Sequence, residues 1–149
     1  KGPMQKPVVL VAEDNPLDAL LLERLIERGG DALQMKHVEH GDAAIDYLLG
    51  RGEYADRKKN PLPRLLLLDL KMPRKDGFAV LRWRRENPAF AHLPIVVFSS
   101  SNLQSDIDQA YALGANSYVA KLADPERLER LVKALHEWWV EFNLTATPT

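Results

Sequence analysis

Residues 65–68 are four consecutive leucines, and the run ends on a single acid, Asp69. A strand with one wet face alternates apolar and polar side chains. A short unbroken apolar run reads instead as a strand covered on both faces, as inside a parallel sheet. Pro73 and the Asp76-Gly77 pair then break the pattern and open a new element. In an open α/β sheet, chemistry collects just beyond the carboxyl ends of the strands. Asp69, at the mouth of the most apolar strand, is therefore a candidate site residue.

The same pattern recurs along the chain. Val8–Ala12 is a short apolar run that ends on Glu13 and Asp14, and Asn15-Pro16 supplies an N-cap and a first helical position. Leu17, Leu21, Leu22, Leu25 and Ile26 predict a helix that stops at Gly29-Gly30. Residues 32–38 carry charges between their apolar positions and read as an edge strand, and residues 42–49 as a helix. Residues 50–63 are a long polar connection, helical in part near Glu53 to Lys58. Asp76 caps a helix bearing Phe78, Val80, Leu81 and Trp83, in which Arg84 stands where an apolar residue would fit, so that helix is expected to be partly exposed. Pro94–Phe98 is a fourth strand ending at Ser99, and Ser101 with Gln104 fits a capping box for the next helix. Ser117–Ala120 is a fifth strand ending at Lys121, and Asp124-Pro125 opens a last helix with Leu128, Leu131, Val132, Leu135 and Trp139 as its core stripe. Strand and helix alternate five times. That predicts a flavodoxin-like (βα)5 three-layer α/β sandwich with a parallel sheet in the order 2-1-3-4-5.

With 149 residues the chain has the size of one domain. Residues 7–142 are expected to form it, between a disordered N-terminus at 1–6, where Lys1-Gly2-Pro3 ahead of Met4 reads as a cloning remnant, and a loose tail at 143–149. The absence of cysteine excludes disulfides and thiolate metal sites and is compatible with a cytoplasmic protein. No apolar run approaches the roughly 20 residues that span a bilayer, so no membrane association is expected. The net charge is −1, and the basic clusters at 57–59 and 82–85 lack interleaved aromatics, so no nucleic-acid partner is expected. His37, His40, His92 and His136 lack metal-ligand spacing.

Parallel strands bring their carboxyl ends to one sheet edge. Glu13 and Asp14, Asp69, Ser99 and Lys121 therefore converge. Carboxylates a few ångströms apart repel unless a cation neutralises them. An all-oxygen set without His or Cys suits Mg²⁺. The Asp69 carboxylate can attack a phosphoryl group. Mg²⁺ and Lys121 would stabilise its equatorial oxygens, and the Ser99 hydroxyl could donate to one of them.

These residues, with Leu70-Lys71-Met72-Pro73 and Asp76-Gly77 after Asp69, Ser100 after Ser99, and Ser117-Tyr118-Val119-Ala120-Lys121, resemble a response-regulator receiver domain. The resemblance covers residues 7 to about 140. It implies that Asp69 is the phosphoacceptor, that Asp14, Asp69 and the Lys71 backbone carbonyl bind Mg²⁺ directly, and that Glu13 acts mainly through water. It further implies that Ser99 and Tyr118 are a switch pair, that Lys121 bridges to the acceptor carboxylate or phosphate, and that the partner is a histidine kinase. Glu13-Asp14-Asn15-Pro16-x-Asp18, the long loop before the third strand, Met72–Gly77 and Trp138-Trp139 ahead of a Thr-Pro tail are similar to single-domain regulators paired with bacterial phytochrome histidine kinases. Two positions depart from the family pattern. Leu122 stands where proline commonly follows a cis bond, and a cis Lys121–Leu122 bond is expected, at a cost of about 2.5–4 kcal/mol. Serine replaces the commoner threonine at Ser99.

Other functions on this fold make distinguishable demands. A small Mg-dependent phosphohydrolase needs a cap or a second acid placed as general acid, and a flavin module needs a phosphate loop that Glu13-Asp14 would repel. With one receiver in the chain, output is expected through a homodimer or partner surface on the last helix. Trp138 and Trp139 cannot both face one core, so Trp138, Val140 and Phe142 are candidate anchors there.

Overall fold

The computed structural model describes residues 6–29, 33–121, 124–142 and 144, with the side chains of 140–142 outside that description. Five strands, β1 (Val8–Ala12), β2 (Gln34–Val38), β3 (Leu65–Leu68), β4 (Ile95–Ser99) and β5 (Ser117–Ala120), form one parallel sheet in the order β2-β1-β3-β4-β5. The helices are α1 (Pro16–Arg28), α2 (Gly41–Leu49), α3 (Gly77–Glu86), α4 (Gln104–Ala112) and α5 (Pro125–Leu135), the last continuing as a π-helical turn over His136–Phe142.

The leucine run shows why the sandwich has three layers. Successive strand side chains point to opposite faces. Leu66 and Leu68 join Ala44, Tyr47, Leu48, Val80, Leu81 and Ala110 under α2, α3 and α4. Leu65 and Leu67 join Leu22, Ile26 and Val132 under α1 and α5. All four leucines are buried, and polar substitution of any of them would leave an unsatisfied group in one of the two cores. β2 is the edge strand that its mixed composition predicts. Only Val38 of it is fully buried.

The helix starts follow their caps. Asn15 Oδ1 accepts from the Leu17 and Asp18 amides, at 2.9 and 3.2 Å, with Pro16 at the first helical position. Asp76 Oδ1 accepts from Ala79 N at 2.9 Å, and Asp124 Oδ1 from Glu126 N at 3.0 Å. Gly77 follows Asp76 because α3 starts against the backbone of Asp69 and Leu70. A Cβ there would collide with the Asp69 carbonyl and with Leu70 Cα, so the smallest residue keeps the start of α3 pressed on the loop that carries Asp69.

Two expectations are corrected. Ser101 does not cap α4 through a capping box. The N-cap is Leu103, without a side-chain bond, while Ser101 Oγ accepts from Leu103 N at 3.3 Å and donates to Asp106 Oδ2 at 2.6 Å. A serine two residues ahead of the cap makes a local turn and reaches Asp106 instead of the Gln104 amide. Arg84 does not expose α3. It is buried and donates to Leu93 O at 2.6 Å, to Asn116 Oδ1 at 3.1 Å and to Gly114 O. Its guanidinium ties α3 to the segments before β4 and β5, because a planar fork can satisfy several carbonyls that no apolar side chain could. Trp83 packs on Phe90 with ring centroids 5.1 Å apart. Trp139 packs on the α1/α5 core while Trp138 is 60% exposed. Leu122, and with it the expected cis bond, lies outside the described residues, as do the side chains of Val140 and Phe142. Among the described residues no helix is long and apolar enough to cross a membrane.

Candidate functional site

The register of the sheet assembles the site. Ala12 pairs with Leu68 and Val38, Leu68 with Val97, and Ser99 with Ala120. The residues just past these pairs therefore share one edge. Backbone bonds carry the alignment past the strands: Glu13 N donates to Val38 O at 2.9 Å, Asp69 N to Ala12 O at 3.0 Å and Lys121 N to Ser99 O at 2.7 Å. Glu13, Asp69 and Ser99 are buried, and Asp14 and Lys71 are exposed at the rim.

Lys121 is the hub. Its ammonium lies 2.5 Å from Glu13 Oε1, 3.0 Å from Asp18 Oδ2 and 3.3 Å from Asp69 Oδ2, and 5.6 Å from the centre of the Phe98 ring. Burial alone would lower the affinity of this amine for its proton. The Glu13 and Asp18 carboxylates, with the charge on Asp69, outweigh burial and hold it above the ordinary lysine range. Glu13 shows the opposite balance. Burial pushes its carboxyl up to about 7 from 4.5, although Lys121 and the Asn15 amide, which Oε2 accepts at 3.0 Å, pull it down. Oε1 makes only the ion contact to Lys121 and lacks a hydrogen bond of good geometry.

One carboxylate oxygen from each of Glu13, Asp14 and Asp69 lies within 4.8 Å of the others. An all-oxygen trio that includes a buried, incompletely satisfied oxygen fits a hard divalent cation better than it fits bulk water. Asp69 Oδ1 also accepts from Lys71 N at 3.3 Å, which places the Lys71 backbone beside the acid.

Ser99 and Tyr118 do not touch each other through their hydroxyls. Ser99 Oγ accepts from Ser101 N at 3.1 Å, and the Tyr118 hydroxyl donates to Ser101 O at 2.8 Å. Both side chains thus hold the backbone of one residue, Ser101. Strand ends in the sequence bring together Glu13, Asp14, Asp69, Ser99 and Lys121, and the structure does the same. Asp18 is a contact of Lys121 that the strand ends do not predict, although an acid one turn into a helix that starts at the site was a usable signal. His37 and His40 are structural: His37 Nε2 meets Glu13 O at 2.7 Å, and His40 Nδ1 accepts from Ala43 N at 3.0 Å as the cap of α2.

Five parallel strands with an acid cluster, a hydroxyl and a lysine at their carboxyl ends define an α/β protein of the flavodoxin-like class with its candidate site on one sheet edge. The chain belongs to the response regulator receiver domain family, whose model matches residues 9–133. Among curated relatives it is 33% identical to the probable methanogenesis regulatory protein FilR2 of Methanothrix harundinacea, over 95% of this chain and 88% of that one. It is 31% identical to the response regulator Rcp1 of Synechocystis, over 90% and 89%. Among solved structures it resembles RPA3017, a response regulator in red light signalling of R. palustris, at 35% identity, TM-score 0.87 and coverage of 95% and 99%. The phosphorylated cyanobacterial phytochrome response regulator RcpA superposes with TM-score 0.87 at 31% identity, covering 96% and 100%. The Mn²⁺-bound form of Rcp1 superposes with TM-score 0.82 at 30% identity, covering 95% and 99%. The chain is thus a two-component signalling receiver, homologous to phytochrome-associated response regulators, in a family that histidine kinases phosphorylate. The phosphohydrolase alternative is not favoured.

Proposed function

We propose that this receiver, residues 7–142, works in the cytoplasm and accepts a phosphoryl group on Asp69 from a histidine kinase of the bacteriophytochrome type. The observation that carries the reading is the half-buried ammonium of Lys121, in contact with both Glu13 and Asp69. It is a fixed positive charge beside the buried carboxylate at the end of β3. An Asp69 oxygen attacks the phosphorus of a phosphohistidine. An O–P bond forms, the N–P bond breaks, and the imidazole leaves with the electron pair. Lys121 stabilises charge on the transferring oxygens because it is held in place before the reaction begins. Slow attack of water on the same phosphorus releases inorganic phosphate and returns Asp69.

Asp14, Asp69 and the Lys71 carbonyl would hold Mg²⁺, with Glu13 contributing mainly through water. When bound, the ion offsets the negative charge of the acids and polarises the phosphoryl oxygens. Ser99 is read as the hydroxyl that donates to the phosphoryl group. The hydroxyl can donate while it still accepts from Ser101 N, so movement of Ser99 toward the phosphoryl group pulls on the residue that Tyr118 holds. Tyr118 then turns inward, and the change reaches a homodimer or partner surface at the end of α5, where Trp138 is exposed.

The test is incubation with acetyl phosphate and Mg²⁺ followed by intact mass and peptide mapping. One base-labile phosphoryl group on Asp69, absent from Asp69→Asn, is expected. Label on Ser99 or on a histidine would overturn the assignment.

A further inference from the structure

We infer that Asp18 is a positioning residue: its carboxylate holds the Lys121 ammonium on the unphosphorylated acid cluster and competes with a phosphoryl group on Asp69 for it. The inference rests on the reading of Asp69 as phosphoacceptor. An acid in the first turn of a helix ordinarily needs no explanation beyond the helix dipole. Asp18 does more than face that dipole. Asn15 and Pro16 fix the start of α1, and from there Asp18 Oδ2 spans to the end of β5 and meets Lys121 Nζ at 3.0 Å, closer than Asp69 does at 3.3 Å.

The donor arithmetic makes the competition concrete. An ammonium has three N–H donors and no acceptor. Glu13, Asp18 and Asp69 each set one carboxylate oxygen against it as an ion contact, and the contact with Asp69 is also a hydrogen bond. A phosphoryl group on Asp69 presents three new oxygens; the donor that serves the Asp69 carboxylate can pass to one of them, and a second contact requires Lys121 to release Glu13 or Asp18. Glu13 is the costly one to release, because its side chain is 1% exposed and an unpaired charge there is unfavourable. Asp18 is 33% exposed, so water can replace the ammonium. Asp18 is therefore the partner that Lys121 leaves, and the strength of that contact opposes commitment of the lysine to the phosphoryl group.

The test uses fluoroberyllate with Mg²⁺, a phosphoryl mimic that binds a carboxylate without turnover, on the full chain as parent, Asp18→Asn, Asp18→Glu, Lys121→Met and the double variant Asp18→Asn/Lys121→Met. Asp18→Asn keeps the size and the helix position and removes the charge. It should tighten fluoroberyllate binding by about 2–5-fold, the scale of a partly exposed ion pair, while Asp18→Glu stays near the parent. Loss of a nearby negative charge also favours an anion without Lys121, and the cycle separates that part. The gain must be larger when Lys121 is present. An equal gain in both Lys121 backgrounds, or weaker binding in Asp18→Asn, overturns the inference while leaving Asp69 as acceptor. Fluoroberyllate binding that survives Asp69→Asn overturns the acceptor reading and the inference together. If Lys121→Met does not fold, the ¹⁵N shift of the Lys121 ammonium decides. It should differ between free parent and free Asp18→Asn and converge once fluoroberyllate is bound; failure to converge overturns the inference.

Discussion

Lys121→Met removes the ammonium and keeps the aliphatic stem, so it isolates the charge. The three carboxylates that the ammonium serves differ in their access to water. Glu13 is 1% exposed, Asp69 7% and Asp18 33%. Breaking a buried pair by deleting one partner costs about 3–5 kcal/mol, whereas a partly exposed pair contributes about 1 kcal/mol or less. Glu13 therefore dominates, and a loss of about 3–5 kcal/mol near neutral pH is expected, a large share of the roughly 5–15 kcal/mol of a typical domain. The pH dependence has a definite sign. The Glu13 carboxyl titrates at about 7 in the folded protein against 4.5 for the free side chain, so the folded state binds the proton more tightly. Stability from this group is complete below about pH 4.5 and is lost as pH rises through about 7. Without Lys121, which pulls that value down, the loss extends to higher pH. The deficit of Lys121→Met should thus be largest near pH 8 and shrink near about pH 5.5, where Glu13 carries a proton. Urea unfolding of parent and variant in EDTA at both pH values measures it, with the m-value as a check on two-state behaviour. A deficit below about 1 kcal/mol at the higher pH, or one that does not change with pH, would refute the claim that Lys121 neutralises a buried carboxylate.

Three further outcomes are expected. Asp14→Asn should weaken Mg²⁺ binding about tenfold or more in a calorimetric titration, and the affinity of the parent should fall as pH drops below about 7, because Glu13 then binds a proton in competition with the metal. Arg84→Met should cost about 2–3 kcal/mol in urea unfolding by leaving the buried Leu93 carbonyl unsatisfied and removing the bond to the part-buried Gly114 carbonyl, and a cost under about 1 kcal/mol would show that water replaces the guanidinium. Trp138→Ala, at an exposed position, should leave stability within about 0.5 kcal/mol while reducing phosphorylation-dependent self-association in sedimentation; unchanged association would remove the α5 end as the output surface.

Much of this protein is legible in its sequence because local rules and long-range packing agree. An unbroken Leu65–Leu68 run can be satisfied only by two covered faces, and both cores take two of its leucines. Asn15-Pro16, Asp76 and Asp124-Pro125 mark helix starts through their own side chains. Once parallel strands are inferred, Glu13, Asp69, Ser99 and Lys121 must share an edge, so most of the site follows from strand ends alone. Tertiary structure decided the rest, where a side chain's partner comes from a distant segment. Arg84 is buried because carbonyls from residues 93 and 114 converge on it, and helical periodicity carries no record of them. Asp18 reaches Lys121 only because α1 begins, and β5 ends, on the same edge. Charge pairing across that edge depends on distances of a few ångströms between segments about a hundred residues apart, a scale that strand and helix periodicity does not encode.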